Sequence, residues 1–177
     1  MIVALSGTPG TGKTSVSALL KKQGYKIFSL NKIALDKNFI EGIDKKRNSK
    51  ILDIGRINEY IKKKYSSEDL VFIEGHAAHF LSIAKKVIIL RCHPKKLKKR
   101  LEKKGWRKEK IEENVEAEAL DVILCETVDI HSEKNVFEID TTDRQPQEVG
   151  RDMKHIMGGK VKNYKIGKID WSEEVLK

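Results

Sequence analysis

The chain opens on four consecutive apolar residues, Ile2-Val3-Ala4-Leu5, with a glycine close behind. A short run without polar interruption is the pattern of a strand buried on both faces. Beyond it Val16, Leu19 and Leu20 recur at helical spacing until Gln23-Gly24 stops the helix. The alternation then repeats. Residues 26–30 predict a second strand, and residues 53–65 a helix with Ile54, Ile57 and Ile61 on one face. Residues 70–74 predict a third strand and 87–90 a fourth, closed by Arg91. His93-Pro94 starts a helix anchored by Leu97 and Leu101, which Gly105-Trp106 break. One long helix is expected from Ile111 to about Val128, burying Val115, Ala119, Leu120 and Ile123. A fifth strand at 136–140 and a helix at 147–157 follow. Five strands alternating with helices predict a three-layer α/β fold around a five-stranded parallel sheet. Between residues 31 and 52 the period is lost: Ile33, Leu35, Phe39, Ile40 and Ile43 are interrupted by Gly42 and by Lys45-Lys46-Arg47. Such a segment is expected to be a flap rather than part of the core.

The turn after the first strand carries the chemistry. Gly7-Thr8-Pro9-Gly10-Thr11-Gly12-Lys13-Thr14-Ser15 fits G-x-x-x-x-G-K-[ST] without a gap, between a strand and a helix. Its glycines let successive N–H groups turn inward, where with the positive end of the helix they cradle a β-phosphate. Lys13 reaches the β- and γ-phosphates, and the Thr14 hydroxyl can join a Mg²⁺ shell. A nucleoside triphosphate site is therefore expected. The strand at 70–74 ends on Glu74, the Walker B pattern, which places a carboxylate beside the phosphate loop to hold Mg²⁺ through water or to orient a nucleophile. His76 follows within reach of the same space. A GTPase is excluded, because Asn31-Lys32 is followed by Asp36, two places too late for a guanine-binding N-K-x-D.

Charge changes the picture next. The net charge is +10 and the isoelectric point about 9.5, which favours a polyanionic partner such as RNA. Residues 95–110 hold ten Lys or Arg against two Glu. Arg100 and Lys104, four apart, project together, while Lys95, Lys99 and Lys103 fall on other faces. Two helices with a basic, glycine-containing hinge between them have the look of a lid over phosphates. A chain of 177 residues suits one domain. It has no apolar stretch of membrane-spanning length, and a strand from residue 2 leaves no signal peptide to be expected. Cys92 and Cys125 lack a CxxC partner, so a reduced cytoplasmic protein without a zinc site is expected.

Taken in order, the phosphate loop, Glu74-Gly75-His76, the segment from Arg91 to Arg100-Leu101-Glu102-Lys103-Lys104-Gly105-Trp106, and Glu113-Asn114-Val115-Glu116-Ala117-Glu118 resemble one family. Asp140-Thr141-Thr142 and Gly167-Lys168-Ile169-Asp170-Trp171 continue the resemblance over nearly the whole chain. The family is the archaeal branch of the small adenylate kinases that includes the coilin-interacting nuclear ATPase. The resemblance implies a nucleoside monophosphate kinase fold with a short lid at about 103–113 and a monophosphate-binding flap at about 30–53, followed by a tail at 160–177. It implies transfer from ATP to a nucleoside monophosphate with Mg²⁺, and ATP hydrolysis. It also implies late maturation of the small ribosomal subunit, including 16S rRNA processing, through the platform ribosomal protein number eleven on the pre-30S particle. The chain alone would be a monomer.

Carried onto this chain, Gly10, Gly12, Lys13, Thr14, Ser15 and the lid cation Lys104 hold ATP. Lys13, Glu74 and His76 are the catalytic set, with Thr14 and Glu74 on the metal. The loop from Thr142 to Pro146 resembles an adenine cradle. Where the family carries a monophosphate-gripping arginine this chain has Ala77, Ala78, His79 and Phe80. Arg56 and Arg91, with Arg100, are left as substrate ligands. A ribosome-assembly ATPase with incidental kinase activity is the alternative.

Overall fold

The computed structural model describes residues 1–44, 49–65 and 69–174. Its main sheet has the order β2-β5-β1-β6-β7, built from β1 (Ile2–Ser6), β2 (Lys26–Ser29), β5 (Val71–Glu74), β6 (Lys86–Arg91) and β7 (Val136–Asp140), all parallel. The apolar runs are explained by burial on both faces. Ile2, Ala4, Ile73, Val87 and Ile89 pack one way, against α2 (Leu30–Asp36) and α3 (Ile54–Lys64). Val3, Leu5, Phe72, Ile88 and Leu90 pack the other way, against α1 (Lys13–Lys22) and α7 (Pro146–Met157). Successive side chains alternate across a strand, so a sheet covered twice reads as continuously apolar. The chain leaves β1 towards β2 on one side and β6 towards β7 on the other. The C-terminal ends of β1 and β6 therefore flank a crevice, the usual place for a ligand in such a sheet.

Three departures from the sequence reading bear on the site. The first is the aperiodic stretch, which contains α2 and an antiparallel hairpin of β3 (Ile40–Asp44) and β4 (Ser49–Leu52). Phe39, Ile40 and Leu52 pack on the core, whereas Leu35, Ile43 and Ile51 stay exposed. A two-stranded hairpin with a register shift next to Gly42 leaves too short a period to read. The Lys45-Lys46-Arg47 cluster lies outside the described residues, as do Val175 and Leu176 of the tail.

The second departure is a break in the long helix. It is two helices, α5 (Lys108–Ala119) and α6 (Val122–Ile130), parted where Asp121 adopts a left-handed φ of 55°. The break turns Leu120 outward to 49% exposure, although the helical period placed it inside. It also delivers the Asp121 carboxylate to Arg91. α4 (Pro94–Lys103) and α5 form a small third core of Cys92, Leu97, Leu101 and Ile111, edged by Trp106 and Val115.

The third is the tail, which folds back onto the body. Lys165 bridges to Phe137, the Gly167 N–H donates to Glu138, and the Trp171 ring lies 4.8 Å from that of His93. No helix among the described residues is long and apolar enough to cross a membrane.

Candidate active site

The glycine loop is seated by contacts that only glycine permits. Gly7 has a φ of +138°, and a Cβ there would stand 2.4 Å from the Leu90 carbonyl oxygen of β6. At Gly10, with φ +96°, a Cβ would press on Leu97 and Leu101 of α4. The loop is thus wedged between the sheet and α4. α1 begins at Lys13 with no acidic residue in its first turn, so its positive end is unopposed. Lys13 Nζ donates to the carbonyls of Gly7 at 2.5 Å and Thr8 at 3.1 Å. Burial lowers its pKa to about 8, with Glu74 and Glu118 opposing that shift and Lys104 adding to it.

Above the loop lies a cavity of about 630 Å³. The stretch from Pro9 to Val16 is its floor. Ser29, Asn31, Glu74, Gly75 and His76, at the ends of β2 and β5, form one wall. Arg100, Lys103, Lys104 and Trp106 form the opposite wall, and Thr141, Arg144, Pro146 and Val149 close the back. Among the described residues that line it, Lys13, Arg100, Lys103, Lys104 and Arg144 set five cations against the carboxylate of Glu74, a balance suited to a polyphosphate. Arg100 is held in place by the carbonyl of Thr141 at 2.7 Å and that of Gly10 at 3.4 Å. Arg144 is oriented by Asp152 at 2.7 Å. Burial, then Lys13 and Lys110, holds the His76 imidazole below its ordinary pKa.

Gly10, Gly12, Lys13, Thr14, Ser15, Glu74, His76, Arg100 and Lys104 all converge on this cavity. Arg91 does not, and the expectation that it grips an acceptor phosphate is corrected. It is 2% exposed, and its guanidinium is committed to Glu118 at 2.9 Å and to Glu138 and Asp121. Those carboxylates hold it firmly protonated against the cost of burial. Glu118 is satisfied in turn by the Thr8 hydroxyl at 2.5 Å and the Cys92 N–H at 3.0 Å, tying α5 to the phosphate loop.

Arg56 also stands apart from the described cavity lining: its guanidinium lies 4.7 Å from the Phe39 ring centre and beside Asp53. Lys103, expected to face water, lines the cavity with Lys104, because α4 ends there and the chain turns at Gly105. Sequence reading gave no site role to Ser29, Asn31 and Trp106, and took in Arg144 only as part of the Thr142–Pro146 loop. Only the first two carried a usable signal, their place at a strand's C-terminal end.

The oxygen donors in the cavity suit Mg²⁺. Thr14 and Glu74 both line it, and a nucleotide-borne Mg²⁺ takes one or two protein oxygens beside phosphates and waters. Among the described residues no group of three or more His, Cys, Asp or Glu converges as a separate metal position.

Residues 3–121 match the AAA domain family. A protein of Methanosarcina acetivorans called "Putative adenylate kinase" is 41% identical, with 99% of this chain and all of that protein covered. The Thermococcus kodakarensis protein of the same name is 40% identical over 98% of this chain and 94% of its own. Among solved structures, shikimate kinase from Acinetobacter baumannii in complex with shikimate superposes with a TM-score of 0.61, covering 90% of this chain and 93% of that one. At 16% identity it speaks for the P-loop kinase fold alone.

Proposed function

The chain belongs to the AAA domain family and to the family of the two adenylate kinase-named relatives, and from that premise we propose that it transfers the γ-phosphoryl group of ATP to a nucleoside monophosphate. The observation that carries this reading is the two-sided cavity. Its floor and basic wall suit a triphosphate, and the Ser29, Asn31, Glu74 and His76 wall leaves room for an acceptor opposite. In-line phosphoryl transfer asks for positioning and charge neutralisation rather than a covalent nucleophile.

Lys13 would exchange its loop carbonyls for phosphate oxygens. Arg100 offers a planar fork to them, and Lys103 and Lys104 act as mobile point charges. Thr14 and Glu74 would hold Mg²⁺, which when bound with ATP neutralises phosphate charge. Glu74 and His76 would orient the attacking oxygen. Trp106 gives a flat face for a base, and the loop from Thr142 to Pro146 is the proposed adenine cradle. Residues 103–113 act as lid and 30–53 as flap in this single-domain reading.

The test is ADP and nucleoside diphosphate formation from ATP with each monophosphate in turn. At least one should accelerate ADP release well above ATP alone. Lys13→Ala should cost on the order of 3–4 kcal/mol of transition-state stabilisation, a few hundredfold in rate. A flat response to every monophosphate, or a Lys13→Ala variant keeping half the rate, would overturn the assignment.

A second role is favoured by the net charge of +10 and by exposed Lys98 and Lys99 on α4, outside the cavity lining. In it, ATP hydrolysis on this site times late maturation of the small ribosomal subunit and its 16S rRNA, through platform protein number eleven. Co-sedimentation with pre-30S particles and ATP hydrolysis without monophosphate test it, and failure of both removes it.

A further inference from the structure

Ser6 ends β1 one residue before the glycine loop, and it is fully buried. Its Oγ lies 2.9 Å from His79 Nδ1 and 3.1 Å from the carbonyl oxygen of His76. His79, in the short 3₁₀ turn Ala78–Phe80, is 1% exposed and sets Nε2 2.9 Å from the Glu126 carboxylate on α6. At its C-terminal end α6 meets the same turn again, where His131 Nε2 donates to the His79 carbonyl at 2.7 Å.

A serine, a histidine and a glutamate in line are the parts of an activated serine nucleophile. Burial rules that use out, since Ser6 and His79 are closed to any substrate. The parts still have a proton logic. Glu126 as a carboxylate only accepts, so Nε2 of His79 carries a proton and donates it. Ser6 has one proton for two acceptors. When His79 Nδ1 is bare the proton goes there; when Nδ1 is protonated it donates to Oγ, and the Ser6 proton passes to the His76 carbonyl. Either way β1 stays bonded to the turn that follows Glu74. The Gly75 N–H donates to the Leu5 carbonyl at 3.1 Å and gives the same turn a second attachment to β1.

α6 contributes no residue to the described cavity lining, yet it grips this turn from behind. We infer that Glu126 is a positioning residue for phosphoryl transfer: through His79 and Ser6 it clamps the turn that aims His76 into the cavity. The inference rests on the reading of His76 above.

Glu126→Leu keeps the bulk and removes the acceptor, and with the Glu126 side chain 43% exposed the variant is expected to fold. The lost bond should lower kcat on the order of tenfold with KM for ATP within about twofold. Glu126→Gln, whose amide oxygen still accepts from Nε2–H, should recover most of kcat. Ser6→Ala should behave as Glu126→Leu does. The imidazole NMR signals of His76, assigned by substitution among the five histidines, should move in Glu126→Leu and return in Glu126→Gln. A role in packing alone would shift melting temperature and leave kcat and those signals in place. Glu126→Leu with unchanged kcat beside an impaired His76→Ala overturns the clamp alone. A fully active His76→Ala overturns the role of His76 and the clamp with it.

Discussion

Arg91 presents one positive charge to the carboxylates of Glu118, Glu138 and Asp121, with itself, Glu118 and Glu138 almost wholly buried. Removing one partner from such a set leaves uncompensated charge out of water, which costs roughly 3–5 kcal/mol. Arg91→Met should therefore lower unfolding free energy by about that much in urea titration at pH 7, although methionine fills much of the volume. A loss under about 1 kcal/mol would mean that the carboxylates find other partners or take up protons. Sequence alone could not tell this arginine from a phosphate ligand. At the end of a strand, both uses place a guanidinium at the sheet's C-terminal edge. What separates them is Glu118, which reads as one more solvated acid in an acidic helix until α5 turns it inward. The place of Lys13 on the cavity floor, by contrast, was legible because it follows from eight contiguous neighbours in one turn.

The α4–α5 pair divides its charge between the cavity and the outer surface. Leu97 and Leu101 are fully buried, which commits one side of α4 to the small core and brings Arg100, Lys103 and Lys104 to the cavity. Lys98 and Lys99 remain exposed elsewhere on α4. Exposed charge adds little to folding but can supply affinity for a phosphate backbone. Lys104→Ala should raise KM for ATP or lower kcat by on the order of tenfold and leave RNA binding intact. The double change of Lys98 and Lys99 to Gln should do the reverse, with a salt dependence of RNA binding shallower by up to roughly two counterions. Steady-state kinetics beside a salt titration with single-stranded RNA decides it. An unchanged titration would leave those lysines as a solubilising surface. The helix break at Gly105 was legible from glycine after a helical run, but the second break was not. Asp121 in a left-handed turn is unremarkable in sequence, and its cause is a carboxylate drawn to Arg91 on another element.

Across the whole molecule, the cavity draws its walls from both halves of the sheet, the α4–α5 pair and the start of α7, so one bound nucleotide ties them together. A ligand at 100 times its dissociation constant stabilises the native state by about 2.7 kcal/mol. For a chain of this size that is a rise in Tm of roughly 5–10 °C. ATP with Mg²⁺ should produce it in the wild type, and Lys13→Ala should show under about 1 °C at the same concentration. An equal shift in both, followed by calorimetry, would place the nucleotide elsewhere.

Sheet, layers and phosphate loop were legible in the sequence because their causes are local. Strands buried on both faces leave unbroken apolar runs, helices leave a one-sided stripe, and the loop is a single contiguous motif whose glycines serve their own backbone. The rest depended on residues far apart in the chain. Thr8 meets Glu118 across 110 positions, Ser6 meets His79 across 73, and Arg100 meets Thr141 across 41. No period or spacing encodes such encounters. Only the packed sheet decided that Arg91 is structural, that Lys103, Trp106 and Arg144 face the cavity, and that α6 stands behind His76. Burial and partner together determine what a charged side chain does, and both are properties of the folded chain.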